Sequence, residues 1–130
     1  MSELTLRAGV DLVDCSRLRR MLEEDMAFLD VAFTKAEQLD CSVDPARLGA
    51  RWAAKEAAMK ALGKGIGALS PRDIEVYTNP EGAPMLRLTG SAERLARELG
   101  VSDWSVSLSH ESGFAVAFVI MTIGGSDVRG

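Results

Sequence analysis

Apolar and polar residues alternate along this chain with two periods, one of two residues and one near 3.6, which predict strands and helices. The first strand is predicted over residues 4–13, where LTLRAGVDLV carries Asp11 near its end. A turn at residues 79–82 separates two alternating segments and so predicts a hairpin. The other strands are predicted at residues 73–77, 85–88, 104–108 and 114–120.

Capping residues mark the starts of two short predicted helices. Ser16 precedes an apolar stripe that runs to Leu29 at helical spacing, which predicts an amphipathic helix capped by the serine. Thr34 stands three residues before Glu37, the spacing of a capping box, in which each side chain bonds the other residue's backbone N–H. A second helix is therefore expected to begin at this pair.

The longest predicted helix covers residues 45–62. Asp44 precedes Pro45 at its start, and Gly63 follows its end, which are the residue types that helix termini favour. Its many alanines permit a neighbouring element to approach closely. A last helix is predicted over residues 91–99. Together the elements predict an α+β fold, a mainly antiparallel sheet packed against the long helix.

Length and composition predict one soluble globular domain. The chain has 130 residues, 47% hydrophobic and 26% charged, which is enough for one core and too little for two. Its apolar runs all fall short of the roughly 18 residues needed to span a bilayer, so no membrane partner is expected. We assign residues 1–123 to the domain and predict a flexible tail at residues 124–130.

Charge and cysteine content narrow the class of partner and the compartment. The net charge of −4 and the pI near 5.0 argue against general nucleic-acid binding, which favours a basic face. Cys15 and Cys41 show neither metal-site nor redox spacing, and the N-terminus lacks a basic leader and an apolar signal core. These features predict a cytoplasmic protein with no nucleic-acid partner.

The candidate chemistry lies on Asp11 and on the long helix. Glu56 and Lys60 are four residues apart and share one face of that helix, with Lys55 at the edge of the face. Mg²⁺ prefers oxygen ligands and usually takes only one or two protein carboxylates. The sequence therefore predicts that Asp11 and Glu56 bind Mg²⁺ beside a phosphate. The alternative is that Asp11 caps a strand end and Glu56 is a solvated carboxylate paired with Lys60.

Three segments occur in the order of a known family: GVDLV at residues 9–13, RWAAKEAAMK at 51–60 and SLSH at 107–110. They resemble the holo-acyl-carrier-protein synthases, and the resemblance covers almost the whole chain. The chain departs from the family pattern at Ala83, where a basic residue is usual, and at Lys64, where a small one is usual. The resemblance implies the phosphopantetheinyl transferase fold. It also implies transfer of the phosphopantetheine arm of coenzyme A to a serine of apo acyl carrier protein, leaving adenosine 3′,5′-bisphosphate.

The resemblance also implies roles for individual side chains. Asp11 and Glu56 match the family's Mg²⁺ ligands, and Lys60 matches a lysine that binds the pyrophosphate and stabilises the leaving phosphate. His110, the only histidine, is expected to contact a coenzyme A phosphate from a polar loop after a strand. A general-base role is an alternative that it shares with Glu111 and a metal-bound hydroxide. A purely structural role, tying the loop down by hydrogen bonds, is a second alternative.

Further coenzyme A contacts are predicted on and after the long helix. Arg51 and Lys55 lie one turn apart and are candidate partners for phosphates, with a merely solvated helix face as the alternative. The glycine-rich turn at residues 63–67 follows a helix C-terminus, so the helix dipole does not favour an anion there. Backbone amides of this turn, with Lys64 and Gly65, are still predicted to hold a phosphate.

A basic cluster on the first predicted helix is the predicted docking site for the acyl carrier protein. Arg17, Arg19 and Arg20 lie beside Met21 in an otherwise acidic chain. Their charge would speed encounter with the acidic helix of a carrier protein, and Met21 would supply an adaptable apolar contact. The alternative is an ordinary solvated face offset by the acidic residues 23–25. The resemblance further implies a homotrimer with each coenzyme A site at a subunit boundary.

Two other functions stand beside the transferase. One is a non-catalytic module that binds coenzyme A or a carrier protein, and the presence of Asp11, Glu56 and Lys60 speaks against it. The other is an unrelated Mg²⁺-dependent enzyme acting on phosphates. The sequence carries neither a P-loop nor a kinase-like glycine pattern, which speaks against that function. The resemblance leaves open whether the carrier protein serves fatty acid or polyketide synthesis.

Overall fold

The computed structural model describes residues 3–42 and 44–124, and within them strands and helices follow one another in the predicted order, except that the first predicted helix is divided into two. The strands are β1 (Thr5–Asp14), β2 (Ile74–Thr78), β3 (Pro84–Leu88), β4 (Val101–Glu111) and β5 (Phe114–Ile123). The helices are α1 (Cys15–Glu24), α2 (Ala27–Ala32), α3 (Lys35–Cys41), α4 (Pro45–Leu62) and α5 (Gly90–Leu99), with a 3₁₀ turn at Pro71–Asp73. The α+β class is confirmed.

The described residues bear on the predicted tail and on the expectation of no membrane partner. The predicted tail at residues 124–130 lies outside the described residues except for Gly124, so it stays a prediction. Among residues 3–42 and 44–124, every helix is too short or too polar to cross a membrane.

The strands form two antiparallel sheets. The larger has the order β1-β5-β4, so the last strand of the chain lies in its centre. In this sheet Asp11 stands opposite Ala117, which in turn stands opposite Leu108. β2 and β3 pair as the predicted hairpin, with Ile74 opposite Leu88. Indole N–H donation from Trp104 to the Leu86 carbonyl, at 2.9 Å, links the hairpin to β4.

The larger sheet has one buried face and one exposed apolar face. Alternate β5 residues from Ala115 to Met121 are fully buried under α4. The opposite face presents large apolar side chains to solvent, which alternation along a strand places on one side. These exposed residues are Leu6, Val10, Leu12, Phe114 and Phe118. A face of this kind in a small domain indicates a contact surface.

Helix α4 has the predicted bounds because local signals define both of its ends. The Asp44 carboxylate accepts a hydrogen bond from the Ala46 N–H, and Pro45 supplies the fixed φ of a first helical residue. At the other end Gly63 adopts a left-handed φ of 83° and donates its N–H to the Met59 carbonyl. Small buried residues let the helix lie close against β1 and β5; they are Ala53, Ala54, Ala57, Ala58 and Ala61.

The first predicted helix is shorter than expected and is capped by a different residue. Asp14, not Ser16, is the N-cap of α1, and its side chain accepts hydrogen bonds from the N–H groups of Ser16 and Arg17. The helix ends at Asp25, whose backbone is extended, and the apolar stripe continues on α2. The apolar stripe alone could not show this break, because Leu18 and Leu22 of α1 and Leu29 of α2 all pack against the same core.

The second difference concerns His110. The sequence placed it in a loop after a strand, but β4 continues through His110 to Glu111, and His110 pairs with Ala115 of β5. The turn between the strands is only Ser112 and Gly113, both with positive φ, at 54° and 81°. Pairing with a central strand extends β4 beyond the residues whose alternation is visible in the sequence.

A buried ion pair joins α3 to α4 in the core. The Lys55 ammonium lies 2.7 Å from the Glu37 carboxylate and donates to the carbonyls of Pro71 and Ile74, and neither charged side chain is exposed. Glu37 also accepts hydrogen bonds from the N–H groups of Thr34 and Val76. Burial lowers the pKa of Lys55, and Glu37 opposes that shift. Breaking one side of such a pair typically costs about 3–5 kcal/mol, so the pair acts as a fixed cross-link.

Candidate functional site

Strand β1 and helix α4 bring three of the predicted site residues together. The Lys60 ammonium lies 3.1 Å from the Asp11 carboxylate and donates to the Val10 carbonyl at 2.9 Å. Glu56, one turn earlier on α4, lines the same cleft as Asp11. The predicted placement of Glu56 and Lys60 on one helix face beside Asp11 therefore matches the structure.

The charges of Asp11 and Lys60 change the pKa of Glu56. Partial burial raises the pKa of the Glu56 carboxyl, the nearby Asp11 carboxylate raises it further, and the Lys60 ammonium lowers it. The two carboxylates are thus close enough to repel each other. A cation between them would remove that repulsion, whereas Lys60 offsets only part of it.

The donor set fits Mg²⁺ and does not fit a closed structural metal site. Within the described part of the chain, no three His, Cys, Asp or Glu side chains converge as a metal cluster. Asp11 and Glu56 are two hard oxygen donors at the rim of an open cleft. Mg²⁺ commonly binds through one or two carboxylates and completes its octahedron with water and substrate phosphate oxygens. The residues present therefore suit this ion.

An apolar cleft of about 510 Å³ opens beside the two carboxylates. Its floor includes the rings of Phe28 and Trp52, whose centroids lie 5.3 Å apart in an edge-to-face arrangement. The apolar spacing along α4 predicts Trp52 only as part of the helix core. A signal was present, because Trp52 lies four residues before Glu56 and so on the same helix face. Other apolar lining residues are Val13, Leu18, Ile66 and Phe114.

Two of the three predicted docking residues line this cleft, and the third does not. Arg17 and Met21 of α1 line it together with Asp11 and Glu56. Arg20 is exposed on the same helix but lies outside the lining. Of the basic residues, Arg17 thus borders the carboxylate pair, a proximity that the sequence could not show.

The glycine-rich turn forms a neighbouring cleft of about 360 Å³ with Glu56, Lys60, Lys64 and Gly65 along its wall. The N–H groups of Gly63 and Lys64 both donate to the Met59 carbonyl, because they cap the end of α4. These two amides are therefore used within the fold. The cationic side chains of Lys60 and Lys64 carry the positive charge that this cleft offers to a phosphate.

The structure separates Arg51 from Lys55, which the sequence grouped as phosphate partners. Lys55 points into the core, and its ammonium is occupied by Glu37 and two carbonyls, so the prediction that it contacts coenzyme A phosphates is corrected. Arg51 pairs with Asp40 at 2.5 Å, and its buried Nε has no hydrogen-bond partner among the described residues. Residues one turn apart need not share surroundings when a helix is buried on one side.

Arg51 lines a different cleft, of about 260 Å³, between the hairpin and β4. Thr78, Pro84, Val106 and Ser107 form its walls. His110 lies further along β4, is exposed, and borders a shallow cleft with Glu111 and Phe114. Neither Arg51 nor His110 lines the cleft of Asp11 and Glu56 in the single chain. Arg51 and His110 themselves line different clefts, so the predicted site residues do not all meet in one place within the single chain.

Comparison with known proteins identifies the family of this chain. The model of the ACPS family, described as the 4′-phosphopantetheinyl transferase superfamily, matches residues 7–119. The chain belongs to this superfamily. The family resemblance read from the three sequence segments is thereby confirmed.

Individual members of the phosphopantetheinyl transferase superfamily are similar over most of the chain. The holo-[acyl-carrier-protein] synthase of Herpetosiphon aurantiacus is 46% identical over 123 residues, covering 88% of this chain and 97% of the relative. That of Moorella thermoacetica is 44% identical over 119 residues, covering 89% and 93%. The crystal structure of Helicobacter pylori holo-[acyl-carrier-protein] synthase in complex with coenzyme A has a TM-score of 0.79 at 31% identity, covering 88% and 98%.

The raised pKa of Glu56 makes a prediction about the stability of this phosphopantetheinyl transferase. A carboxyl with a higher pKa in the folded state destabilises the fold above that pKa, and the penalty disappears as the pH falls below the unfolded value. Glu56→Gln should therefore raise the melting temperature near neutral pH without divalent ions. The gain should shrink toward about pH 4.

Melting curves of the wild type and Glu56→Gln across this pH range test the prediction. Glu98→Gln on α5, an exposed carboxylate remote from the cleft, is the matched control and should show no such pH-dependent gain. A lower melting temperature for Glu56→Gln at neutral pH would show that the attraction of Lys60 outweighs burial and the repulsion from Asp11.

Proposed function

We propose that this chain transfers the phosphopantetheine arm of coenzyme A to a serine hydroxyl of apo acyl carrier protein, releasing adenosine 3′,5′-bisphosphate. The observation that carries the proposal is the meeting of Asp11, Glu56 and Lys60 at the mouth of an apolar cleft. Its relatives at 40–46% identity are named holo-[acyl-carrier-protein] synthases, and the Helicobacter pylori structure has coenzyme A bound.

Asp11 and Glu56 would hold Mg²⁺ in this reaction. When bound, the ion would neutralise charge on the phosphate oxygens of coenzyme A, which lowers the barrier to phosphoryl-type transfer. The two carboxylates lie on different elements, so the fold fixes their separation before any ligand arrives. Preorganised charge of this kind is the main contribution a protein makes to such reactions.

Lys60 and Lys64 would bind the pyrophosphate. The Lys60 side chain is about half exposed and already stands beside Asp11, so its ammonium can reach an oxygen next to the carboxylate pair. There it would stabilise negative charge as the bond to the leaving phosphate breaks. Lys64 lies across the adjacent cleft, where it would add a second cation on the nucleotide side.

The apolar cleft would receive the pantetheine arm. The arm is long, uncharged and partly apolar, and the rings of Phe28 and Trp52 offer a matching surface. A substrate held there would place its phosphate at the charged end of the cleft. Remote binding of this kind positions the reacting atoms.

Intact mass spectrometry of a carrier protein tests the function directly. Incubation of the purified protein with coenzyme A, Mg²⁺ and an apo acyl carrier protein should add the mass of one phosphopantetheine arm, and a chelator should prevent the gain. Glu56→Gln should abolish transfer because it removes one of two proposed metal ligands, whereas the exposed Glu98→Gln should not.

The outcomes separate the competing functions. Full transfer by Glu56→Gln would contradict its metal role. No transfer to several carrier proteins, with measurable binding of coenzyme A, would favour the binding module. Transfer of phosphate alone would favour an unrelated phosphate enzyme.

Arg17, Arg20 and Met21 would dock the carrier protein. All three are exposed on α1, and Arg17 and Met21 border the cleft, so a carrier bound here would present its serine near the proposed metal. Charge on this helix would steer an acidic partner.

Reversing one of these charges should affect only the protein substrate. Arg17→Glu should raise the KM for the carrier protein by on the order of tenfold and leave the KM for coenzyme A nearly unchanged. Arg94→Glu, the same change on the exposed face of α5, is the control. Equal increases in both constants for Arg17→Glu would refute the docking site.

A homotrimer would bring the separated site residues together. Arg51 and His110 lie beside β4, whereas Asp11, Glu56 and Lys60 lie beside β1 at the other edge of the sheet. The exposed apolar face carrying Leu6, Val10, Leu12 and Phe118 offers the surface that copies of the chain would bury. Each coenzyme A would then bind at a boundary, held by Asp11, Glu56 and Lys60 of one subunit and by Arg51 and His110 of another.

Mixed trimers test the shared site. Glu56→Gln and Arg51→Ala should each be nearly inactive alone, but subunits unfolded and refolded together should regain activity, because some boundaries then combine two intact halves. An equal random mixture should regain on the order of a quarter of wild-type activity. No recovery, with trimers confirmed by light scattering, would mean that both residues act within one subunit.

We place the reaction in the cytoplasm. Cys15 and Cys41 are both free and buried, which suits a reducing compartment. Burial raises the pKa of the Cys41 thiol to about 11, so it stays protonated.

A further inference from the structure

β1 and α4 meet backbone to backbone at Gly9. A Cβ built on this glycine would lie 1.9 Å from the carbonyl oxygen of Ala57 and 2.9 Å from the amide nitrogen of Ala61. Both are main-chain atoms of a regular helix, so no change of rotamer can move them aside. Gly9 is also buried. A residue with a side chain fits here only if the strand and the helix move apart.

This crossing point lies among the charged groups of the site. Asp11 follows Gly9 by two residues and so lies on the same face of β1. On α4, Ala57 directly follows Glu56. Lys60 spans the gap by donating to the Val10 carbonyl at 2.9 Å. The close approach of strand and helix at Gly9 therefore sets the separation of the two backbones that carry Asp11 and Glu56.

We propose that Gly9 is a positioning residue whose missing side chain sets the gap between Asp11 and Glu56 to suit Mg²⁺ rather than a larger divalent cation. The inference rests on the metal site of the proposed function. Mg²⁺ requires near-octahedral oxygens at about 2.0–2.1 Å, whereas Ca²⁺ accepts six to eight oxygens at about 2.3–2.6 Å in irregular geometry. Widening the gap should therefore penalise Mg²⁺ more than Ca²⁺.

The size of the expected movement follows from the contact at Gly9. An added methyl group must retreat from 1.9 Å to the 3.4 Å at which ordinary van der Waals contact begins. Because the obstacle is backbone, β1 or α4 moves as a unit and carries its carboxylate along. A shift of this size exceeds the tolerance of a preorganised metal site, which is on the order of 0.5 Å.

Calorimetric titration of the metal-free protein with MgCl₂ and, separately, CaCl₂ tests the proposal without measuring activity. Gly9→Ala should weaken Mg²⁺ binding by on the order of tenfold and shift the affinity ratio toward Ca²⁺. Gly49→Ala is the contrasting control, because its Cβ would lie 2.6 Å from the Cys15 sulfur, a side-chain atom that a change of rotamer can move, so it adds a methyl group to α4 without a clash against backbone. That control should keep the wild-type ratio even if its stability falls.

The outcomes separate this inference from the proposed function. An unchanged ratio in folded Gly9→Ala would overturn the positioning role, whereas a wild type that binds neither ion, either alone or saturated with coenzyme A, would overturn the metal site itself. If circular dichroism shows that Gly9→Ala does not fold, Ala57→Val supplies a second wedge at the same level of α4, where Ala57 is fully buried. A wild-type ratio in that variant would likewise overturn the proposal.

Discussion

The close packing of α4 on the larger sheet is the contact on which the rest of this structure depends. Alanines along the helix and Gly9 on β1 remove the side chains that would hold the two elements at the usual distance. Dispersion forces gain from such proximity because many atom pairs come within contact range. The same proximity lets side chains at the rim of the seam interact across it. Asp11, Glu56 and Lys60 are those side chains.

Charged residues at nearby positions of α4 have very different surroundings, so they have different roles. Lys55 is buried and neutralised by Glu37, so its charge serves the fold. Glu56, the next residue, lies at the rim of the cleft, where partial burial and Asp11 raise its pKa. Lys60 reaches into solvent while it holds Asp11. One helix thus places a buried structural cation, a carboxyl with a raised pKa and a half-exposed cation within two turns.

The sheet connects the local chemistry to the proposed assembly. Because β5 lies between β1 and β4, the Asp11 and Glu56 carboxylates and the cleft of Arg51 lie toward opposite edges of the sheet. The outer sheet face, rich in exposed leucine, valine and phenylalanine, is costly to leave in water. One assembly of several copies would then both remove the apolar face from water and complete the proposed coenzyme A site.

Local signals in the sequence determined the elements and part of the site. The capping box of Thr34 and Glu37 and the termini of α4 at Asp44 and Gly63 appear in the structure where the sequence predicts them. Such signals act within three or four residues, so a single sequence reveals them. The spacing of Glu56 and Lys60 likewise required only the helical period.

The tertiary structure decided which side of each element became buried and which residues met across the fold. Lys55 is in the core because Glu37 and the carbonyls of Pro71 and Ile74 surround it, and those partners are distant in sequence. The extension of β4 through His110 depended on pairing with β5, and the apolar cleft on α1 and α2 folding back over Trp52. Contacts of this kind depend on how distant segments pack, and a local sequence pattern contains no information about that packing.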